Sequence, residues 1–73
     1  MEELINSYHS ELEENEYIEI YTNDWNFIIG PEDTLDYHDD MLIIDYAKYE
    51  FGTKTVIVSV PKIIHIQVMK NRE

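Results

Sequence analysis

The apolar residues change period at Tyr17, and that change constrains the fold more than any other feature of the chain. Before it, Ile5, Tyr8 and Leu12 recur at three- and four-residue steps with Leu4 beside them, forming one helical stripe. Residues 2–14 (EELINSYHSELEE) therefore read as a short helix within a helical segment 1–15. Glu2 and Glu3 suit the positive end of its dipole. Glu11, Glu13 and Glu14 crowd the negative end, at a cost of a few tenths of a kcal/mol each. A helix this short does not hold alone in water, so it must dock on the remainder.

From Tyr17 the period is two. In Tyr17–Thr22 the isoleucines face one side while Tyr17, Glu19 and Tyr21 face the other. Asn23-Asp24 is turn chemistry, followed by a strand at 25–29 with Trp25, Phe27 and Ile29 on one face; Gly30-Pro31 ends it. Residues 32–40 (EDTLDYHDD) read as an acidic loop with Leu35 and Tyr37 tucked inward. The run Met41–Ile44 reads as a strand buried on both faces, continuing as Tyr46–Phe51 to a turn at Gly52-Thr53. Residues 54–60 alternate, with Val56, Val58 and Val60 on one face and Thr55, Ile57 and Ser59 on the other. Pro61 marks a corner. The last strand, 63–69, is read with Ile64, Ile66 and Val68 inward and Ile63, His65, Gln67 and Met69 outward.

Seventy-three residues allow one domain, 1–73, with the helix at 1–15 and the sheet at 16–73. A chain of this size buries only about 60% of its unfolded surface. A bent sheet that nearly closes on itself makes the most of that area. The expected class is α+β, mostly β: an N-terminal helix followed by a strongly bent five-stranded antiparallel sheet or small barrel.

The order of these segments resembles the Sm-like (LSm) fold, particularly its bacterial RNA-chaperone branch. The likeness is carried by Ile18-Glu19-Ile20-Tyr21, Asn23-Asp24, Phe27-Ile28-Ile29-Gly30, Leu35-Asp36 followed by Met41–Ile44, and a closing pair at Val56–Val60 and Ile63–Ile66. The resemblance implies that fold and ring assembly through edge strands. It departs at Asp24, where the family carries Gly, and at the Val60-Pro61-Lys62 corner, where the family's RNA-contacting residues are basic or polar. Only Lys62 would carry over as a phosphate contact, so the family's RNA-binding residues are missing.

Charge limits the function. Residues 1–50 hold fifteen acids and one base, and residues 51–73 hold four bases and one acid, which gives −14 and +3 and sums to the net −11. Some lysines are expected against acids, but most acids have no partner to find. Such a field disfavours binding to a phosphate backbone or an anionic membrane. The absence of cysteine excludes disulfides and thiolate metal sites. With no 18-residue apolar run and no basic-then-apolar leader, the expected location is the cytoplasm, that of a bacterial host if the gene is a phage's.

The densest polar cluster is Asp33, Asp36, His38, Asp39 and Asp40. Hard oxygens and an imidazole suit a divalent cation, but the glycine and bidentate glutamate of a calcium loop are missing. The expectation is a solvated acidic loop. His65, outward on the last strand, and His9, on the polar side of the helix, lack neighbours for metal or proton chemistry. No phosphate loop, nucleophile elbow or zinc-hydrolase spacing occurs. No enzyme activity and no cofactor are expected.

The tyrosines lie among acids: Tyr17 and Tyr21 flank Glu19, and Tyr37, Tyr46 and Tyr49 sit near Asp36, Asp39, Asp40, Asp45 and Glu50. They suit either half-buried strand positions or an interface. Carboxylates two apart on a strand stand about 6.6–6.8 Å apart, and four apart on a helix about 6 Å. Both spacings approximate neighbouring phosphates. Glu3, Glu11 and Glu14 on the helix, with Glu32, Asp33, Asp36, Tyr37, Asp39 and Asp40, are thus the candidate partner-binding surface. The partner would be a basic nucleic-acid-binding protein such as a nuclease or defence effector, met by a nucleic-acid mimic or inhibitor. Phages and mobile elements use small acidic proteins in this way as counter-defence. The alternative is a self-assembling Sm-like module or accessory subunit, with Ile63, His65 and Met69 as the self-association surface.

Overall fold

The computed structural model describes residues 1–48 and 54–71. A helix, α1 (Glu2–Ser10), precedes six strands: β1 (Glu16–Thr22), β2 (Asn26–Ile29), β3 (Thr34–His38), β4 (Met41–Tyr46), β5 (Lys54–Ser59) and β6 (Ile63–Lys70), with a single 3-10 turn, Val60–Lys62, before β6. The strands form two antiparallel three-stranded sheets, ordered β2-β1-β6 and β3-β4-β5. The architecture is α+β and mostly β. Among the described residues the sheets do not close into a barrel. The chain passes between them at the Gly30–Asp33 corner and at the Pro61 corner.

The core lies between the sheets. Ile18 and Ile20 of β1, Ile29 of β2 and Ile63 of β6 face Leu42 and Ile44 of β4 and Val58 of β5, and Ile5 of α1 joins them. Burying such a side chain fully stabilises by about 1.5–3 kcal/mol, so these few positions hold most of what a small chain can gain. No charged side chain is buried among the described residues.

Several expectations change on contact with the structure. The helix stops at Ser10, with Glu11 as its C-cap. Glu13 and Glu14 lie beyond it, which removes them from the negative end of the dipole. Ser10 Oγ donates to Ser7 O at 2.9 Å in the last turn, the kind of local bond that competes with helix propagation. Leu12 still packs on the core from outside the helix.

The stretch at 34–38 is a strand, not a loop, so the described residues hold six strands where five were expected. Leu35 and Tyr37 do point inward; Thr34, Asp36 and His38 alternate outward. The acidic composition of the segment hid a period of two. β4 is not buried on both faces: Leu42 and Ile44 are buried, while Met41 is exposed and Ile43 half-buried. Its run of apolar residues covers both faces of a sheet that packs on one side only. The expected continuation of β4 ends at Tyr46, and the proposed turn at Gly52-Thr53, with Tyr49 and Glu50, lies outside the described residues.

On β6 the inward and outward sets are exchanged at the start: Ile63 is buried and Ile64 is 64% exposed. The cause is a bulge. Tyr21 pairs with His65 and Thr22 with Ile63, leaving Ile64 as the extra residue. A bulge breaks strict alternation, so Ile63 and Ile66 both pack on the core. Trp25, read as a strand residue sharing a face with Phe27 and Ile29, precedes β2 and is 69% exposed.

Asp33 ties the corner between the sheets. Its carboxylate accepts from Gly30 N–H at 2.7 Å and from Ala47 N–H at 3.0 Å, linking the β2–β3 connection to the segment after β4. A Cβ at position 30 would stand 3.4 Å from that carboxylate, in van der Waals contact with it. His9, on the polar side of the helix, sets Nε2 3.0 Å from Gly30 O, so α1 is anchored to the same corner.

Candidate functional site

The two sheets present outward faces of opposite character. On β2-β1-β6, register places Glu19 between Ile28 and Gln67, Tyr21 between Asn26 and His65, and Tyr17 beside Met69. The centre of this face is polar and bonded to itself. Tyr21 Oη donates to Glu19, Gln67 Nε2 donates to Tyr21 Oη at 3.1 Å, and His65 Nε2 lies 3.4 Å from Gln67 Oε1. The Tyr21 and His65 rings sit 5.6 Å apart. The bond to Glu19, with burial and the carboxylate's charge, raises the Tyr21 pKa.

On β3-β4-β5 the outward rows are His38–Met41–Ser59, Asp36–Ile43–Ile57 and Thr34–Asp45–Thr55. Here the centre is apolar. Met41 is 50% and Ile57 60% exposed, and half-buried Ile43 sits between them. Directly opposed side chains on such a sheet stand about 4.5–5.5 Å apart and diagonal ones about 7–8 Å, so the three make one continuous patch. Asp36 and Asp45 border it, and Asp39 and Asp40 form the β3–β4 turn at one end. No lysine or arginine occupies any of the nine outward positions.

These acids are weakly engaged. Asp36 accepts the Tyr37 N–H at 2.9 Å, Asp45 accepts the Thr55 hydroxyl at 2.6 Å, and Asp39 faces His38 Nε2 at 3.6 Å. Asp39 holds a left-handed φ of 54°, which aspartate tolerates better than most residues. Around the β5 side a groove of about 300 Å³ is lined by Trp25, Phe27, Met41, Ile57 and Val58, with Asp24 and Lys62 alongside. The Thr22 hydroxyl donates to Trp25 O at 3.0 Å and accepts from Trp25 N–H at 3.1 Å and Asp24 N–H at 3.3 Å. The indole therefore projects from a backbone that is already fixed.

The candidate acids do not form one track. Asp36 lies on the outer β3-β4-β5 face, and Asp39 and Asp40 are exposed in the β3–β4 turn at its end. Glu3, Glu11 and Glu14 are exposed, but α1 ends before Glu14 and Glu11 only caps it, so no helical run of phosphate-like spacing exists. Glu14 and Glu32 share the rim of an open cleft of about 470 Å³, where Lys48 pairs with Glu32 at 3.1 Å. Asp33 belongs to the corner.

Tyr37 belongs to the packing and not to the surface. Its hydroxyl donates to Glu2 O at 3.5 Å, and burial, with the Glu2 charge, pushes its pKa up to about 12. The described tyrosines are all half-buried, the first of the two readings their spacing allowed. Of the proposed self-association residues, Ile63 is core, while His65 and Met69 are exposed on the polar-centred sheet. No group of three His, Asp or Glu side chains among the described residues converges to hold a metal. No helix of the described residues is long and apolar enough to cross a membrane.

Reasoning from sequence missed Trp25 as a surface residue. Asn23-Asp24 before it and Asn26 after it are turn formers, and this was the available signal. Comparisons of the chain with family models, with curated proteins and with solved structures returned no match.

Proposed function

We propose that this chain is a non-enzymatic acidic binding protein that occupies the basic surface of a nucleic-acid-binding protein, as a nucleic-acid mimic or inhibitor. A host nuclease or defence effector is the kind of partner meant, with the chain a phage-type counter-defence protein acting in the host cytoplasm. The observation that carries this reading is the set Asp36, Asp39 and Asp40: exposed, on β3 and the turn that follows it, with no lysine or arginine at the nine described outward positions of their sheet. Their carboxylates are held by a hairpin and so are presented without much ordering cost. A net charge of −11 would steer the chain to a cationic groove, and would do so less as salt rises.

The test is retention of a basic nucleic-acid-binding protein from host lysate, with release by added nucleic acid and by salt. A partner that nucleic acid does not displace would end the mimic reading.

A second reading is a self-assembling Sm-like module. It is favoured by β2, β3, β5 and β6 each standing at a sheet edge, since open edges invite pairing between chains. In this reading β2 and β3 are two halves of one bent strand, interrupted at Gly30–Asp33, which returns the strand count to five. Light scattering separates the two: a multimer of fixed size at every salt concentration belongs to the second.

A further inference from the structure

Solvated faces of antiparallel sheets are ordinarily polar. The outer face of β3-β4-β5 departs from that in its middle and not at its margins. Met41, Ile43 and Ile57 form the centre, and the patch runs over the β5 side to the exposed Trp25 through their shared groove. Asp36 borders it on the β3 side, Asp45 at one end and the Asp39-Asp40 turn at the other. An apolar centre with a charged rim is the anatomy of a recognition surface, and an exposed tryptophan on a fixed turn is the side chain most enriched among binding hot spots.

We infer that this face is the docking surface, and that its occupant is a partner surface on which exposed apolar side chains are flanked by lysine or arginine. The inference rests on the proposed function for the sign of the partner's charge, and adds the apolar contact and its location. Charge complementarity decides the occupant. The patch is bordered by Asp36, Asp45, Asp39 and Asp40, with Lys62 at the groove; four acids against one lysine make two copies repel on balance and a cationic partner attract. Lys62 beside the groove disfavours a cation there, which leaves the Trp25 end for the partner's apolar side chain and the Asp36–Asp40 end for its cations. Binding then has two separable parts. Salt weakens the rim contacts and leaves the apolar part, which sets residence time.

Two short peptides of equal charge test this on the intact protein, one alternating Arg with Leu and one alternating Arg with Ser. The Arg–Leu peptide should bind about 10-fold tighter, a difference of about 1.4 kcal/mol. Ile57→Ser and Trp25→Ala should each erase that preference while Met69→Ser, on the other sheet, preserves it. All three positions are exposed, and a thermal melt verifies folding. Amide shifts in an NMR titration should centre on Met41, Ile43 and Ile57. Equal affinity for both peptides, with both weakened by loss of Asp36 and Asp40, overturns the inference and leaves the acidic reading intact. Affinity indifferent to those acids overturns both. Shifts centred on Tyr21 and His65, or a dimer in sedimentation that Ile57→Ser dissolves, would also overturn it, the latter in favour of self-association.

Discussion

The two outward sheet faces are built from similar residue types and end in opposite states. On β2-β1-β6 the carboxylate of Glu19 sits at the centre, where Tyr21 and Gln67 bond around it. On β3-β4-β5 the carboxylates sit at the margin and the centre is Met41, Ile43 and Ile57. The first arrangement satisfies its central polar groups within the molecule and keeps its exposed apolar residues, Ile28 and Met69, on the edge strands. The second leaves apolar area in water and, among the described outward positions, sets no lysine or arginine beside its carboxylates. Position within the sheet, more than composition, separates a finished surface from an unfinished one, because cross-strand neighbours decide what each side chain can bond.

The largest expected effect breaks the comparison at its charged margin. Asp36→Lys with Asp40→Lys and Asp39→Asn should lower affinity for a captured basic partner by at least about 30-fold, measured by surface plasmon resonance. Asparagine is chosen at 39 because it tolerates the left-handed backbone there. Glu19→Gln on the other face should change that affinity less than about twofold, as expected of a charge away from the contact.

Next in size is the joint that fixes the two faces relative to each other. Asp33→Ala removes the acceptor for Gly30 and Ala47 N–H and should cost about 1.5–3 kcal/mol in urea unfolding, the range for bonds to a charged group. Tyr21→Phe removes the hydroxyl at the centre of the finished face. It should cost about 0.5–1.5 kcal/mol and leave partner affinity unchanged. Ile57→Thr on the unfinished face should do the reverse, with stability moved by no more than about 0.5 kcal/mol.

The smallest effect is a titration. Tyr37 is held neutral up to about pH 12 by burial and Glu2, and Tyr21 and Tyr46 shift the same way. With folded pKa values above the unfolded 10.0, the folded state binds more protons in that window. Stability should therefore be intact below pH 10 and fall as pH rises toward about 12. Urea midpoints across the window check this, and Tyr37→Phe should flatten the slope.

Much of the fold was legible because burial on one side imprints a period. Ile18, Ile20 and Val58 were readable from alternation alone, and Leu35 and Tyr37 as the apolar residues of an acidic segment. Where the imprint failed, a physical cause is visible. Acids obscured β3. Apolar residues on an outer face made β4 look doubly buried. A bulge at Ile64 inverted the start of β6. Of the candidate site, Asp36, Asp39 and Asp40 are exposed, while Tyr37 and Ile63 pack on the core and Asp33 is bonded at the corner. Trp25 was missed because an aromatic next to a strand ordinarily signals core.

The amino-acid order by itself determined the helix-then-strands succession, the size of the core and the sign of the field around the molecule. These depend on local periodicity and on charge, which survive without knowledge of what packs where. Which carboxylates stand alone, and that Met41, Ile43, Ile57 and Trp25 meet on one surface, was decided only by tertiary structure. Strand register and the two corners bring together residues far apart in the chain, and no local pattern encodes that distance.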